Sequence, residues 1–298
     1  MTVPKTATSA ELRSGKGSGD ENFPVASWLI KPRHRPAILA FYEFVRVADD
    51  IADHPSLAPA EKLARLDRLE DSLLNDGGVE PEGERLRAAL REQGLSPKHA
   101  QDLLNAFRQD VTKLRYETWD ELVDYCSRSA MPVGRFVLDV HGEQHSTWPA
   151  NDALCAALQI INHLQDCAVD YRKLDRVYLP LDTLAAHGIG VEALAAAKAS
   201  SALRAALHAL TERTATLLRQ SQSFDAQIAD ARLALEVSVI QSLALRLIAL
   251  LRTRDPLSER VHLSKPEAAA AAAGGCVRAL LHRLTRLASP SGRRYQTP

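Results

Sequence analysis

The stretch "FYEFVRVADDIADHP", residues 41–55, decides how this chain is read. Asp49, Asp50 and Asp53 crowd together there. They follow Ile38, Leu39, Phe41, Phe44 and Val45, a run that reads as the buried face of a helix. Like charges one turn apart repel and destabilise a helix. Carboxylates beside an apolar wall also lose hydration. At 3.6 residues per turn, Asp49 and Asp53 stand at i and i+4 and share one face. Three negative charges in such a place call for a cation.

The pattern occurs a second time. "INHLQDCAVDYRKLDRVYLP" (161–180) holds Asp166 and Asp170, again at i and i+4. Leu154, Leu158, Ile161 and Leu164 make that helix apolar as well. One acidic pair is weak evidence, because most such pairs are a solvated helix face. Two pairs on otherwise apolar helices are better. If the helices face each other, four carboxylates converge across a cavity. Mg²⁺ between the carboxylates and a substrate diphosphate would make that cluster sensible, since Mg²⁺ takes oxygen ligands from carboxylates, water and phosphate. Asp49, Asp50, Asp53, Asp166 and Asp170 are the candidate metal ligands. Arg46 lies one turn before the first group, and Arg172, Lys173 and Arg176 follow the second. Basic side chains there suit an anionic leaving group. Any one of them alone fits a surface ion pair equally well.

Composition bounds the fold. The chain has 298 residues, enough for a sizeable core, and 37 basic residues balance 37 acidic ones. That balance argues against a nucleic-acid partner. Ala and Leu dominate and aromatics are few, which favours helices over sheets. Cys126, Cys155, Cys167 and Cys276 form no C-x-x-C pair, so zinc has little support and buried thiols in a reducing compartment are expected. The N-terminus lacks an apolar signal region, and no uninterrupted apolar stretch spans a bilayer. The expected localisation is cytoplasmic.

Helical spacing recurs over residues 37–53, 59–74, 84–93, 98–115, 119–140, 151–172, 191–221 and 225–252. No β alternation and no internal repeat is evident. The expectation is a single all-α domain over residues 21–263, after a flexible N-terminal segment (1–20). Residues 264–298 then read as a linker, "KPEAAAAAAGG", and a basic tail. In the tail Leu280, Leu281, Leu284 and Leu287 fall on one side, with Arg278, Arg283 and Arg286 between them. A short basic amphipathic helix can lie on the inner face of an anionic membrane. The other readings are a terminal helix docked on its own protein and a disordered tail. His141 and His145, with Glu143 between, read as a surface pair.

These motifs resemble the squalene/phytoene synthase family. "FYEFVRVADDIAD" and "INHLQDCAVDYRKLDRVYLP" look like its two aspartate-rich regions. "RYETWDELVDYCSRSAMPVG" (115–134) resembles its central helix. The resemblance covers roughly residues 20–263. "GDENFPVASWLI" (19–30), "SAMPVG" (129–134) and "RDPLSERVHL" (254–263) look like the HpnC-type branch of bacterial hopanoid pathways, whose members act as hydroxysqualene synthases.

The resemblance implies an isoprenoid-synthase-like helical bundle with a central cavity. It implies that Asp49, Asp53, Asp166 and Asp170 bind metal and serve catalysis, and that Tyr125 lines the cavity. Tyr42, Arg46, Gln159, Asn162, Arg172, Arg176 and Tyr178 are the implied substrate contacts. The implied reaction is Mg²⁺-dependent conversion of presqualene diphosphate to hydroxysqualene and diphosphate, with NADPH not expected. Transient contact with sister enzymes of the pathway would follow from an insoluble intermediate. Two departures from the family pattern, Glu21-Asn22-Phe23 and Gln165, remove positive charge and are compatible with a single diphosphate. The rival readings are condensation of two prenyl diphosphates and a non-catalytic assembly factor.

Overall fold

The computed structural model describes residues 30–288. Among them the chain is helical with one isolated bridge, between Arg115 and Val177. The expected flexible segment 1–20, the departure at Glu21-Asn22-Phe23 and the end of the tail lie outside the described residues.

Prolines begin many of the helices. They occupy the first turns of α1 (Arg35–Asp53), α2 (Pro59–Leu74) and α3 (Pro81–Gln93). There a missing N–H costs nothing, because the first turn has no intrahelical partner for it. α4 (Lys98–Thr112) and α5 (Trp119–Ser129) follow, the latter capped by Thr118, whose hydroxyl accepts from the Glu121 amide. α6 (Met131–Val140) and α7 (Trp148–Leu174) again start on prolines. α8 (Leu181–Ala186), α9 (Ser201–Gln220), α10 (Phe224–Gln227), α11 (Ala231–Leu251) and α12 (Lys265–Ala288) complete the order.

Three helices expected to be continuous are divided. The 119–140 helix breaks at Ala130, because Pro132 cannot donate to the preceding turn. The 191–221 helix is a 3₁₀ turn (Val191–Ala195), then α9 capped by Ser200. The 225–252 helix is α10, then α11 capped by Asp230. Glu143 adds to that second cap: its carboxylate accepts from the amides of Ala229 and Asp230, at 2.8 and 2.7 Å. A carboxylate is favoured at a helix N-terminus by the exposed amides and the macrodipole.

One further expectation is corrected. Residues 265–275, read as a linker, form the first half of α12 and run on helically into the tail. The run of alanines favours helix, and α12 packs on α11. α11 is long and apolar enough to cross a bilayer by composition, yet 56% of its most apolar window is buried inside the protein. It is a core helix.

The core has two parts. One gathers α1 to α4, and the other gathers α5, α7, α9 and α11. Phe41 of α1 stacks on Phe136 of α6 at 4.0 Å between ring centroids. The two parts together wall a cavity of about 590 Å³. All four cysteines are free thiols; Cys126 and Cys167 are buried as expected, whereas Cys155 and Cys276 are only partly so.

Candidate active site

α1 and α7 each present one stripe to the cavity. From α1 come Tyr42, Arg46, Asp49 and Asp53, at i, i+4, i+7 and i+11. From α7 come Gln159, Asn162, His163, Asp166 and Asp170. The two acidic pairs therefore line the same cavity. Both pairs lie toward the C-terminal ends of their helices, where the macrodipole is negative and disfavours carboxylates. Asp110 of α4 and Glu236 of α11 also line it, so six carboxylates share the cavity with the guanidiniums of Arg46 and Arg176.

Burial first, and then that excess of negative charge, raise the carboxyls of Asp49 and Asp170. Asp49 keeps 34% of its side chain open, yet its carboxyl is pushed up to about 7. Burial is the first cause and neighbouring Asp53 the second, with Arg46 pulling the other way. Asp170 is raised to about 7 by burial, then by Asp166 and Asp53. A cation between the pairs would relieve both. Four aspartate oxygens from two helices are a donor set that fits a hard divalent ion.

The chain leaves α7 by an abrupt turn. Asp175 adopts φ +51°, the left-handed cap of the helix, and Arg115 holds its carboxylate at 2.5 Å. The Val177 amide then bonds to the Leu114 carbonyl at 2.9 Å. This return carries Arg176 and Tyr178 back into the cavity wall. The Arg176 guanidinium donates to the Asp53 carboxylate, to the Ala52 carbonyl at 3.3 Å and to the Asp110 carbonyl at 3.2 Å. It fixes the end of α1.

Asp110 anchors the opposite wall. The phenols of Tyr125 and Tyr178 donate to its two oxygens, at 2.7 and 3.1 Å. Burial raises the Asp110 carboxyl to about 6, against the pull of Arg176 and the two phenols. Tyr178 stacks on His163 at 3.6 Å, and Tyr116 joins the aromatic group at 5.6 Å from Tyr178. His163 is driven down to about 3 by burial and then by Arg176, so the ring is neutral. The Gln159 amide lies 3.2 Å from its Nε2.

The structure thus brings Tyr42, Arg46, Asp49, Asp53, Tyr125, Gln159, Asn162, Asp166, Asp170, Arg176 and Tyr178 to one cavity. Two candidates stand elsewhere. Asp50 is about a quarter turn round from Asp49, outside the cavity lining, and accepts from Arg46 at 2.6 Å. Arg172 points to the far side of α7 and donates to the Ala196 carbonyl at 2.8 Å. Gln165 also lies outside the lining, its amide bonded to the Val261 carbonyl. Its lack of charge therefore says nothing about how many diphosphates fit.

Asp110, His163 and Glu236 were missed. Asp110 had a signal: it continues the apolar stripe Leu103, Phe107 at i+7 and i+3, where an acid is out of place. His163 shares its face with Gln159 and Asp166. The His141–His145 pairing does not form. His141 meets His34 in a tilted ring contact at 4.3 Å, and His145 meets Trp148 in another. His34, His141 and Asp230 could offer three ligand atoms within 4.8 Å of one another. Asp230 is already spent on Lys31, at 2.7 Å, and on two amides of α11.

The chain is 62% identical over 260 residues to the hydroxysqualene synthase of Rhodopseudomonas palustris, covering 87% of this chain and 89% of that one. It is 53% identical over 285 residues to the hydroxysqualene synthase of Sinorhizobium fredii, covering 96% of each. The crystal structure of squalene synthase HpnC from Alicyclobacillus acidocaldarius superposes with a TM-score of 0.70 at 27% identity, covering 82% of this chain and 91% of that one. The squalene/phytoene synthase family profile matches residues 17–267. The chain is an enzyme that belongs to the squalene/phytoene synthase family.

Proposed function

We propose that this enzyme converts presqualene diphosphate to hydroxysqualene and diphosphate, with Mg²⁺ held by Asp49, Asp53, Asp166 and Asp170. The observation that carries the reading is the joining of both acidic pairs to one cavity with apolar walls. The names of its relatives at 62% and 53% identity support it. The family acts on prenyl diphosphates and depends generally on divalent metal.

The isoprenoid arms fill the apolar part of the cavity, walled by Phe41, Val137, Leu158 and Ile240 among others. Burial at ~25 cal/mol per Å² supplies most of the binding energy. Mg²⁺, when bound, neutralises the diphosphate and makes it a better leaving group. Arg46 sits beside Asp49 at 3.0 Å, in reach of the same anion. The C–O bond to diphosphate breaks and the electron pair leaves with it. The remaining cation is met by the neutral His163 and by the faces of Tyr125 and Tyr178. One water then attacks carbon and gives up a proton, which yields the alcohol.

Purified protein should be incubated with Mg²⁺ and, separately, presqualene diphosphate or farnesyl diphosphate, without NADPH, and the lipids identified by mass. Hydroxysqualene from the first and nothing from the second supports the reading. An Asp49→Asn/Asp166→Asn variant should then be inactive. A condensed C30 or C40 product from prenyl diphosphates would replace it with a condensing synthase.

A further inference from the structure

α12 docks one face on the protein and leaves the opposite face bare. On the docked face the backbones approach closely: a Cβ on Gly275 would lie 2.7 Å from the Ser238 carbonyl oxygen. The Ser238 hydroxyl donates to the Gly275 carbonyl at 2.8 Å. Arg278 turns inward and donates to the Ser238 carbonyl and the Gln241 side-chain oxygen, both at 2.9 Å. His282 lies 3.0 Å from the Asp225 carboxylate. On the outer face Val277, Leu280, Leu281 and Leu284 are 57, 60, 55 and 62% exposed. They stand at i, i+3, i+4 and i+7, one unbroken stripe. The other exposed large hydrophobics among the described residues lie on other elements, at most one to each. Single exposed apolar residues need no explanation, but a stripe does.

Charge indicates what covers it. After Glu267 the sequence holds Arg283, Arg286, Arg293 and Arg294, besides the inward Arg278, and no acidic residue, although the whole chain is neutral. An aliphatic stripe in a purely basic segment fits anionic lipid headgroups over acyl chains. A second copy fits poorly. Four half-exposed aliphatic side chains fall short of the ~800 Å² per partner that a stable interface buries. The stripe also lacks the aromatic residues enriched in protein interfaces.

We propose that α12 lays the Val277–Leu280–Leu281–Leu284 stripe on an anionic lipid surface. α11 is the partition behind it. It gives Leu233, Val237 and Ile240 to the cavity and Ser238 and Gln241 to α12. The lipid would then lie one helix away from the apolar cavity wall. This inference stands on the surface alone and does not depend on which reaction the cavity performs.

The test is co-sedimentation of the full chain with phosphatidylcholine vesicles, with and without phosphatidylglycerol. The variant is Leu280→Gln/Leu281→Gln/Leu284→Gln, which changes only exposed positions and keeps good helix formers. The wild type should bind the anionic vesicles and be released by salt. The variant should lose binding at least about tenfold while its circular dichroism and melting stay unchanged. Leu280→Gln alone should show a smaller loss in the same direction, which keeps the test decisive if the triple variant misfolds. Equal binding by wild type and variant, or no preference for phosphatidylglycerol at low salt, overturns the proposal. So does a wild-type dimer that the variant converts to a monomer, because the stripe would then belong to a second copy.

Discussion

Arg176 and Asp53, 123 residues apart in sequence, form an ion pair that ties the end of α1 to the return after α7. The pair fixes the C-terminal end of α1, which carries Asp49 and Asp53, against the cavity wall that Arg176 shares with Asp166 and Asp170. Arg176 is buried and also holds the Ala52 and Asp110 carbonyls, so its loss removes three contacts at once, although the Ala52 carbonyl keeps Lys62 at 2.8 Å. Asp53 is 38% exposed, which screens part of the attraction. Arg176→Ala should cost about 1–3 kcal/mol of stability, read by chemical denaturation. It should also lower kcat/KM by on the order of 10²-fold, because Asp53 would no longer be held in place. Arg176→Lys should rescue only part, since an ammonium cannot reproduce the planar fork. A variant with wild-type kcat/KM would remove Arg176 from the site.

The raised carboxyls of Asp49 and Asp170 make stability depend on pH and metal together. Both are held near 7, above the ordinary aspartate value of 3.8. A group whose proton is bound more tightly in the folded state contributes stability at low pH. That contribution is lost as pH rises from about 4 through about 7. Metal-free protein should therefore melt lower at pH 8 than at pH 5.5. A divalent ion competes with these protons, so the stabilisation by Mg²⁺ should be large at pH 8 and small at pH 5.5. Thermal scans in EDTA and in Mg²⁺ at the two pH values check this. An Mg²⁺ effect that is the same at both would contradict it.

The acidic pairs were legible because spacing and apolar context are local properties. Asp49 with Asp53, and Asp166 with Asp170, need only the helical period to share a face. Asp50 was misplaced by the same reasoning applied too loosely, since one residue along a helix is a turn of about 100°. Arg172 and Arg176 look alike in sequence. They part because Asp175 enters the left-handed region and reverses the chain, and tertiary bonds to Arg115 and Leu114 set that reversal. Asp110 was legible only as an acid out of place on an apolar stripe, not as the anchor of two phenols. Its partners, Tyr125 and Tyr178, come from 15 and 68 residues away, and nothing near it in sequence announces them. The exposed stripe of α12 was half legible: the leucines were visible, but not that Arg278 faces the protein.

Asp110 should act through its charge and its two phenols. Tyr125→Phe removes the shorter of the two bonds to a buried carboxylate. It should cost about 1–3 kcal/mol, and Tyr178→Phe somewhat less at its longer distance. Asp110→Asn removes a buried charge at constant shape, so stability should hold or rise while turnover falls by about tenfold or more. The signature lies in pH. The Asp110 carboxyl stands near 6, so the acid limb of the activity profile should change in the Asn variant. An unchanged profile with full turnover would leave Asp110 a packing residue.

Gly134 tests the opposite wall of the cavity, where α6 meets α7. A Cβ there would lie 2.0 Å from the Asn151 side-chain oxygen and 2.7 Å from the Cys155 sulfur. Neither neighbour can yield easily. Asn151 is buried and bonded to the Met131 carbonyl at 3.3 Å, and Cys155 follows one turn later on the same face. α6 must then move off α7. Gly134→Ala should cost about 1–3 kcal/mol despite the better helix propensity of alanine, because overpacking outweighs the gain. Gly134, Asn151 and Cys155 all line the cavity, so the shift should also distort the pocket and raise KM more than it lowers kcat. Asn151→Ala combined with Gly134→Ala makes room for the methyl group, so the double variant should lose less than the two single losses added. Strict additivity would mean that the close approach at Gly134 does not hold α6 to α7.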